Sequence, residues 1–150
     1  MDLQYTNRIS SWKNFRSSLN NKKSSIKKVL DYYNSFPDKP RNVDPYDKLS
    51  WPDPWELILE NDYCRFRKIL GICYTLQLTE CFKNMQTMIH IGVDENIKDL
   101  VYLISVNKKI ILGSYNGEKI RKISNLKKRS DKTFYTPTNQ NNWNSTNQNR

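Results

Sequence analysis

Glycine, cysteine and histidine are scarce in this 150-residue chain: four, three and one, respectively. Each scarcity excludes something. The glycines Gly71, Gly92, Gly113 and Gly117 stand in neither a G-x-x-x-x-G-K nor a G-x-G-x-x-G arrangement, so a phosphate-cradling nucleotide loop has no support. Cys64, Cys73 and Cys81 are odd in number and form no C-x-x-C pair, which argues against a disulfide framework and a zinc site. No apolar run is long enough to cross a bilayer, and no signal-peptide pattern opens the chain. The expectation is a protein of a reducing compartment with no membrane partner, no metal and no cofactor.

What is abundant is positive charge, 25 Lys and Arg against 15 Asp and Glu. It is unevenly placed. Residues 1–30 hold seven basic side chains and one acid, a balance of +6. Residues 31–106 hold eight and twelve, a balance of −4, and residues 107–150 hold ten and two, a balance of +8. Basic ends around a mildly acidic middle attract anionic partners: nucleic acid, an anionic membrane or an acidic protein. The competing reading is a solvated surface that keeps the chain soluble.

Helical periodicity opens the chain. Ile9, Trp12, Phe15 and Leu19 share one face of a helix over 7–20. Ser24 or Ser25 is placed to cap a second, with Ile26, Val29, Leu30 and Tyr33 facing inward. Five of the six prolines then fall within 37–54, which excludes a continuous helix or a central strand there. Because this stretch also carries Tyr46, Leu49 and Trp51 and leads into Trp55, it reads as an ordered strap whose aromatics anchor it to the core. Asp53-Pro54-Trp55-Glu56 has the form of a capping box with proline at the first helical position. Asn61 or Asp62 caps the next helix, and Tyr63–Thr79 carries a broad apolar stripe that makes it the central core helix. Gly71 inside it costs stability unless another element packs close.

The period then changes to two. Residues 87–93 alternate, 100–106 read as a buried strand, Asn107-Lys108 turns into a strand over 109–115, and Asn116-Gly117 signals a hairpin into a fourth strand over 118–123. The expected fold class is α+β: N-terminal helices and a central core helix packed on a three- to four-stranded antiparallel meander. One domain is expected over 1–125. Residues 126–150, basic and then rich in Asn and Gln, are expected to form a disordered tail.

Three stretches carry a resemblance: Ile9-Ser-Ser-Trp12-Lys-Asn-Phe15, Asp44-Pro-Tyr-Asp-Lys-Leu-Ser-Trp-Pro-Asp-Pro-Trp-Glu-Leu-Ile58 and Tyr74-Thr-Leu-Gln-Leu-Thr79. Together they resemble an uncharacterised family of small proteins encoded by tailed bacteriophages of marine bacteria, especially cyanobacterial phages. The likeness covers roughly residues 7–112, and Trp51-Pro-Asp-Pro-Trp-Glu-Leu57 is its specific core. The resemblance implies a phage gene product, a virion or assembly component acting in the virion or the host cytoplasm. It brings no catalytic residues.

Two constellations invite a chemical reading. Cys64, in the first turn of the expected core helix, is placed where the helix dipole favours a thiolate; His90 lies on the following strand, with Asp94 or Asp99 beyond. The layout resembles transglutaminase-like and papain-like enzymes. It lacks the small residues around their nucleophile, and Arg65, Phe66 and Arg67 crowd the position. His90 is expected on the solvent face of its strand. Glu56, Glu60 and Asp62 are close in sequence but are adequately explained by helix capping. The second constellation is basic: Lys108, Lys109, Lys119, Arg121, Lys122, Lys127, Lys128 and Arg129, interleaved with Tyr115, Phe134 and Tyr135. It suits phosphate contact without sequence readout. The expected structural anchors are Trp12, Trp51, Asp53, Trp55 and Glu56. The leading expectation is a non-enzymatic binding protein, ahead of a non-specific nucleic-acid-binding accessory protein and a cysteine hydrolase.

Overall fold

The structure, a computed structural model, describes residues 3–94, 98–114, 119–123 and 133–137, with Asp94 and 133–137 described by backbone alone. The chain is α+β and divides into two compact units, Met1–Asn84 and Met85–Arg150. The boundary falls inside the span expected as one domain.

The first unit is helical. Helix α1 spans Leu3–Ser17, α2 Lys22–Asn34, α3 Pro54–Glu60 and α4 Arg65–Gln77, with 3-10 turns at Lys48–Ser50 and Glu80–Phe82. Asn21 caps α2 by accepting from the Lys23 and Ser24 amides, so the helix begins before the expected serines, and Ser25 is buried while Ile26, expected on the inward side, is half-buried. The capping box of α3 is complete: Asp53 Oδ1 accepts the Glu56 amide at 2.8 Å and Glu56 Oε1 accepts the Asp53 amide at 3.3 Å. Asn61 does not begin α4. It ends α3 in the left-handed conformation, at φ 49°. The residue preceding α4 is Cys64.

Every residue of α4 from Phe66 to Gln77 is buried. Thr75 is its polar hub. Its hydroxyl donates to the Gly71 carbonyl at 2.7 Å, accepts from Trp12 Nε1 at 3.0 Å and pairs with the Tyr33 hydroxyl at 2.9 Å. One side chain thereby ties α1 and α2 to α4. Gly71 has its reason in the same place. A Cβ there would lie 2.2 Å from Tyr33 Cε1, so only glycine admits this ring. Trp12 also meets Trp55 edge to face at 5.3 Å.

The strap before α3 is ordered by hydrogen bonds rather than by all its apolar residues. Trp51 is buried against Phe66, and the Pro52 carbonyl accepts the Tyr74 hydroxyl at 2.7 Å. Tyr46, an aromatic of the strap expected to anchor it, and Leu49 point outward instead, 52% and 98% exposed. The Asp44 and Asp47 carboxylates hold the Tyr46 and Leu49 amides, fixing a turn that leaves both side chains outside. Farther back, Asp38 receives Arg65 at 3.0 Å and the buried Lys68 at 2.8 Å, while Arg67 pairs with Glu60 at 2.6 Å.

The second unit is a five-stranded antiparallel sheet: β1 Thr87–Asp94, β2 Asp99–Val106, β3 Lys109–Ser114, β4 Arg121–Lys122 and β5 Thr133–Pro137, in the order β4-β3-β2-β1-β5. Ile89 faces Ile104 and Ile91 faces Tyr102, the register set by the apolar alternation of β1. The strand β5 lies within the stretch expected to be disordered. Its Thr-Phe-Tyr-Thr composition favours extended backbone, and β1 offers the edge it pairs with. The Asn116-Gly117 turn and the rest of the tail lie outside the described residues.

Candidate anion-binding surface

The β2–β3 turn is built by local chemistry. Asn107 and Lys108 both take positive φ, 49° and 69°, the conformation that matches the twist of a two-residue hairpin. Asn107 also clamps the turn sideways: its amide donates to the Gln86 carbonyl at 2.8 Å and its Oδ1 accepts the Gln86 amide at 2.9 Å. Lys108 and Lys109 therefore leave the sheet from a backbone fixed on two sides, and both are exposed.

Beside them runs the β4 edge. Leu112 pairs with Lys122 and Gly113 with Arg121, and the Ile123 amide donates to Ile111 at 3.0 Å. Ile123 and Leu103 close over Gly113, where a Cβ would meet them at 2.4 and 2.6 Å, so β4 docks closely on β3. Arg121 and Lys122 alternate to opposite faces of this edge, and Lys119 precedes them; all three are exposed. Lys109 and Gly113, the partner of Arg121, are four residues apart, so the cations spread over about 13 Å of strand. Among the described residues no acid pairs with Lys108, Lys109, Lys119, Arg121 or Lys122. Lys127, Lys128 and Arg129 lie outside the described residues.

The N-terminal basic segment is used differently. Arg8 donates to the Ile58 and Leu59 carbonyls at 3.1 Å each, at the carbonyl end of α3. Arg16 donates to Leu78 at 3.2 Å, at the end of α4, and lies over the Trp12 ring at 4.3 Å. Cations at helix C-termini satisfy exposed carbonyls and complement the dipole. Burial lowers the Arg16 pKa, with Tyr33 opposing in the second place. These two arginines belong to the fold. Lys13, Lys22, Lys23 and Lys28 remain exposed, whereas Lys27 pairs with Asp31 at 2.7 Å.

The catalytic candidates are placed as follows. Cys64 is 1% exposed, and its backbone bridges to Lys39. His90 is 4% exposed, not on a solvent face, and its Nε2 is 2.7 Å from the Ser105 hydroxyl. Both faces of the central strand β2 are buried, which closes off the side that alternation alone assigned to solvent. Burial lowers the His90 pKa. Asp94 ends β1 with its Cα opposite Asp99. Cys64 lies in the first unit and His90 in the second, so neither unit holds both. Cys73 is buried in α4, and Cys81 is half-buried in the second 3-10 turn. Of the acids close in sequence, Glu56 completes the capping box, Glu60 pairs with Arg67 and Asp62 accepts from Asn42 at 3.0 Å.

Sequence reasoning missed the roles of Arg8, Arg16, Asp38 and Thr75. Their long-range partners lie 27 to 63 residues away, beyond any local pattern. Among the described residues no group of three His, Cys, Asp or Glu is arranged to hold a metal, and no helix is long and apolar enough to cross a membrane. No protein-family model, curated protein or solved structure matches the chain.

Proposed function

We propose that this is a non-enzymatic binding protein of a tailed bacteriophage, a virion or assembly component that contacts DNA through its basic β3–β4 edge. The observation that carries the reading is a contrast in pairing. The buried cations of the first unit, Arg67 and Lys68, are matched by Glu60 and Asp38. The five cations of the sheet edge stand exposed and, among the described residues, pair with no acid. Unpaired cations along one edge favour a polyanion by releasing its counterions, with no need to read base edges. The phage context rests on the likeness centred on Trp51-Pro-Asp-Pro-Trp-Glu-Leu57.

A charged, two-residue edge strand also protects a sheet from pairing with another sheet. One experiment separates the two roles. Binding to a short duplex is measured by fluorescence anisotropy between about 50 and 200 mM salt. Contact by all five cations gives a slope of log K on log salt of about −4 to −5. The triple variant Lys119→Glu, Arg121→Glu, Lys122→Glu lowers the magnitude of that slope by about 3 and keeps the protein monodisperse. Aggregation of the variant with unchanged DNA affinity would assign the charges to edge protection. Mass spectrometry of purified particles finds the protein if it is a virion component, and its absence from them removes that part of the reading.

A further inference from the structure

The first unit carries both halves of a contact that it does not make with itself. One half is the turn at 44–50. Leu49 is 98% exposed at its tip, with Tyr46 half-exposed beside it. The turn is held by the Asp44 and Asp47 carboxylates on the Tyr46 and Leu49 amides, by Ser50 Oγ on the Asp47 carbonyl at 2.7 Å, and by the buried Trp51 behind it. Presenting a leucine on such a turn incurs little ordering entropy on binding, which is what a docking anchor requires.

The other half is a cleft of about 180 Å³ where α1, α2 and the end of α3 meet, walled by Tyr32, Phe36, Ile58 and Tyr63 with Asn7 and Arg8 at its mouth. It is smaller than the ~300–1,000 Å³ of small-molecule sites and suits a single inserted side chain. Phe36 and Tyr63 stack at 4.4 Å, giving it a rigid aromatic wall. The charges match as well. Arg8 stands at the mouth, and the exposed Lys28 lies one helical turn before Tyr32 on α2. Asp44 and Asp47 precede the leucine on the turn, and with Lys48 the only cation among residues 44–50 the turn is net negative.

We infer that the occupant of this cleft is Leu49 of a second copy of the chain, with Asp44 and Asp47 facing Arg8 and Lys28. Two copies exchanging turns form a closed pair, and a head-to-tail arrangement forms an open chain. The buried area is small, so the association is weak and is expressed at the high local concentration of an assembly. It is independent of the DNA-binding edge, which lies in the other unit.

Sedimentation over a concentration series up to about 1 mM, at low salt, tests it. The wild-type apparent mass rises with concentration, and Leu49→Asp abolishes the rise without altering the melting temperature, because the Leu49 side chain is exposed and its amide keeps its hydrogen bond to Asp47. Asn7→Trp, on the exposed face of α1, fills the mouth of the cleft and has the same effect. A monomeric wild type at every concentration, undiminished association of Leu49→Asp, or undiminished association of Asn7→Trp each overturns the inference. DNA affinity, read on the same samples, is unchanged by either substitution at concentrations where the protein is monomeric, so failure here leaves the edge reading standing.

Discussion

Thr75 has no charge and no catalytic chemistry, yet its single hydroxyl serves three helices. Donating to Gly71, it accepts from Trp12 and Tyr33, so its donor and both lone pairs are used. Thr75→Val keeps the shape but leaves the Trp12 indole N–H and the Tyr33 hydroxyl buried without this partner. At about 1–3 kcal/mol for each unsatisfied group, the expected loss is roughly 2–6 kcal/mol by urea unfolding, whereas Thr75→Ser loses much less. Gly71→Ala tests the same packing from the other side. Alanine improves helix propensity by about 1 kcal/mol, but its methyl must displace a tyrosine ring that Thr75 holds in place. A net destabilisation is expected; stabilisation would mean that Tyr33 moves freely. The need for a close neighbour was legible from a glycine inside an apolar stripe. Which neighbour was not, because Tyr33 lies 38 positions earlier in another helix.

Helix α3 was legible almost to its ends because all its signals are local: an N-cap, a proline and a reciprocal acid within four residues. Asp53→Ala removes the cap from a helix of only seven residues, and a loss of about 1 kcal/mol in unfolding free energy is expected. The strap before it was half legible. Five prolines excluded regular structure, and Trp51 and Trp55 are buried as aromatics in an ordered segment should be. Tyr46 and Leu49 broke the rule that large apolar residues go inward, because two aspartates bind the turn's amides and dictate its direction more strongly than one leucine can. In the sheet, alternation set the register of β1 on β2, whereas β5 was hidden in a stretch whose surroundings are polar. The basic edge was legible as charge. What the sequence did not disclose was that Arg8 and Arg16, counted with the same positive excess, serve as helix-end partners inside the fold. The exposed cations of the first unit are accordingly fewer than the +6 balance of residues 1–30 suggests.

One side chain has its ordinary value in the middle of the physiological range, since His90 is the only histidine. In the unfolded chain it has an ordinary value of about 6.5. In the folded protein burial disfavours the imidazolium and lowers that value, while Nε2 bonds Ser105. Below about pH 6.5 the unfolded chain therefore binds more protons than the folded one, so stability present at pH 7–8 is lost as pH falls toward the folded pKa. The acids enter later and separately. Burial raises the Asp38 carboxyl, but hydrogen bonds and charge from Lys68 and Arg65 outweigh it and hold Asp38 below its ordinary value, so its contribution is present above about pH 4 and is lost only as pH falls through that lowered value. A melting-temperature profile should accordingly descend in two stages, the first beginning as pH falls below about 6.5 and the second below about 4. His90→Gln carries no titrating proton and keeps an amide for Ser105; it flattens the first stage and leaves the second. A first stage that persists in His90→Gln would show that the loss belongs to acids titrating above their ordinary range, and that the buried imidazole is not what couples this sheet to proton concentration.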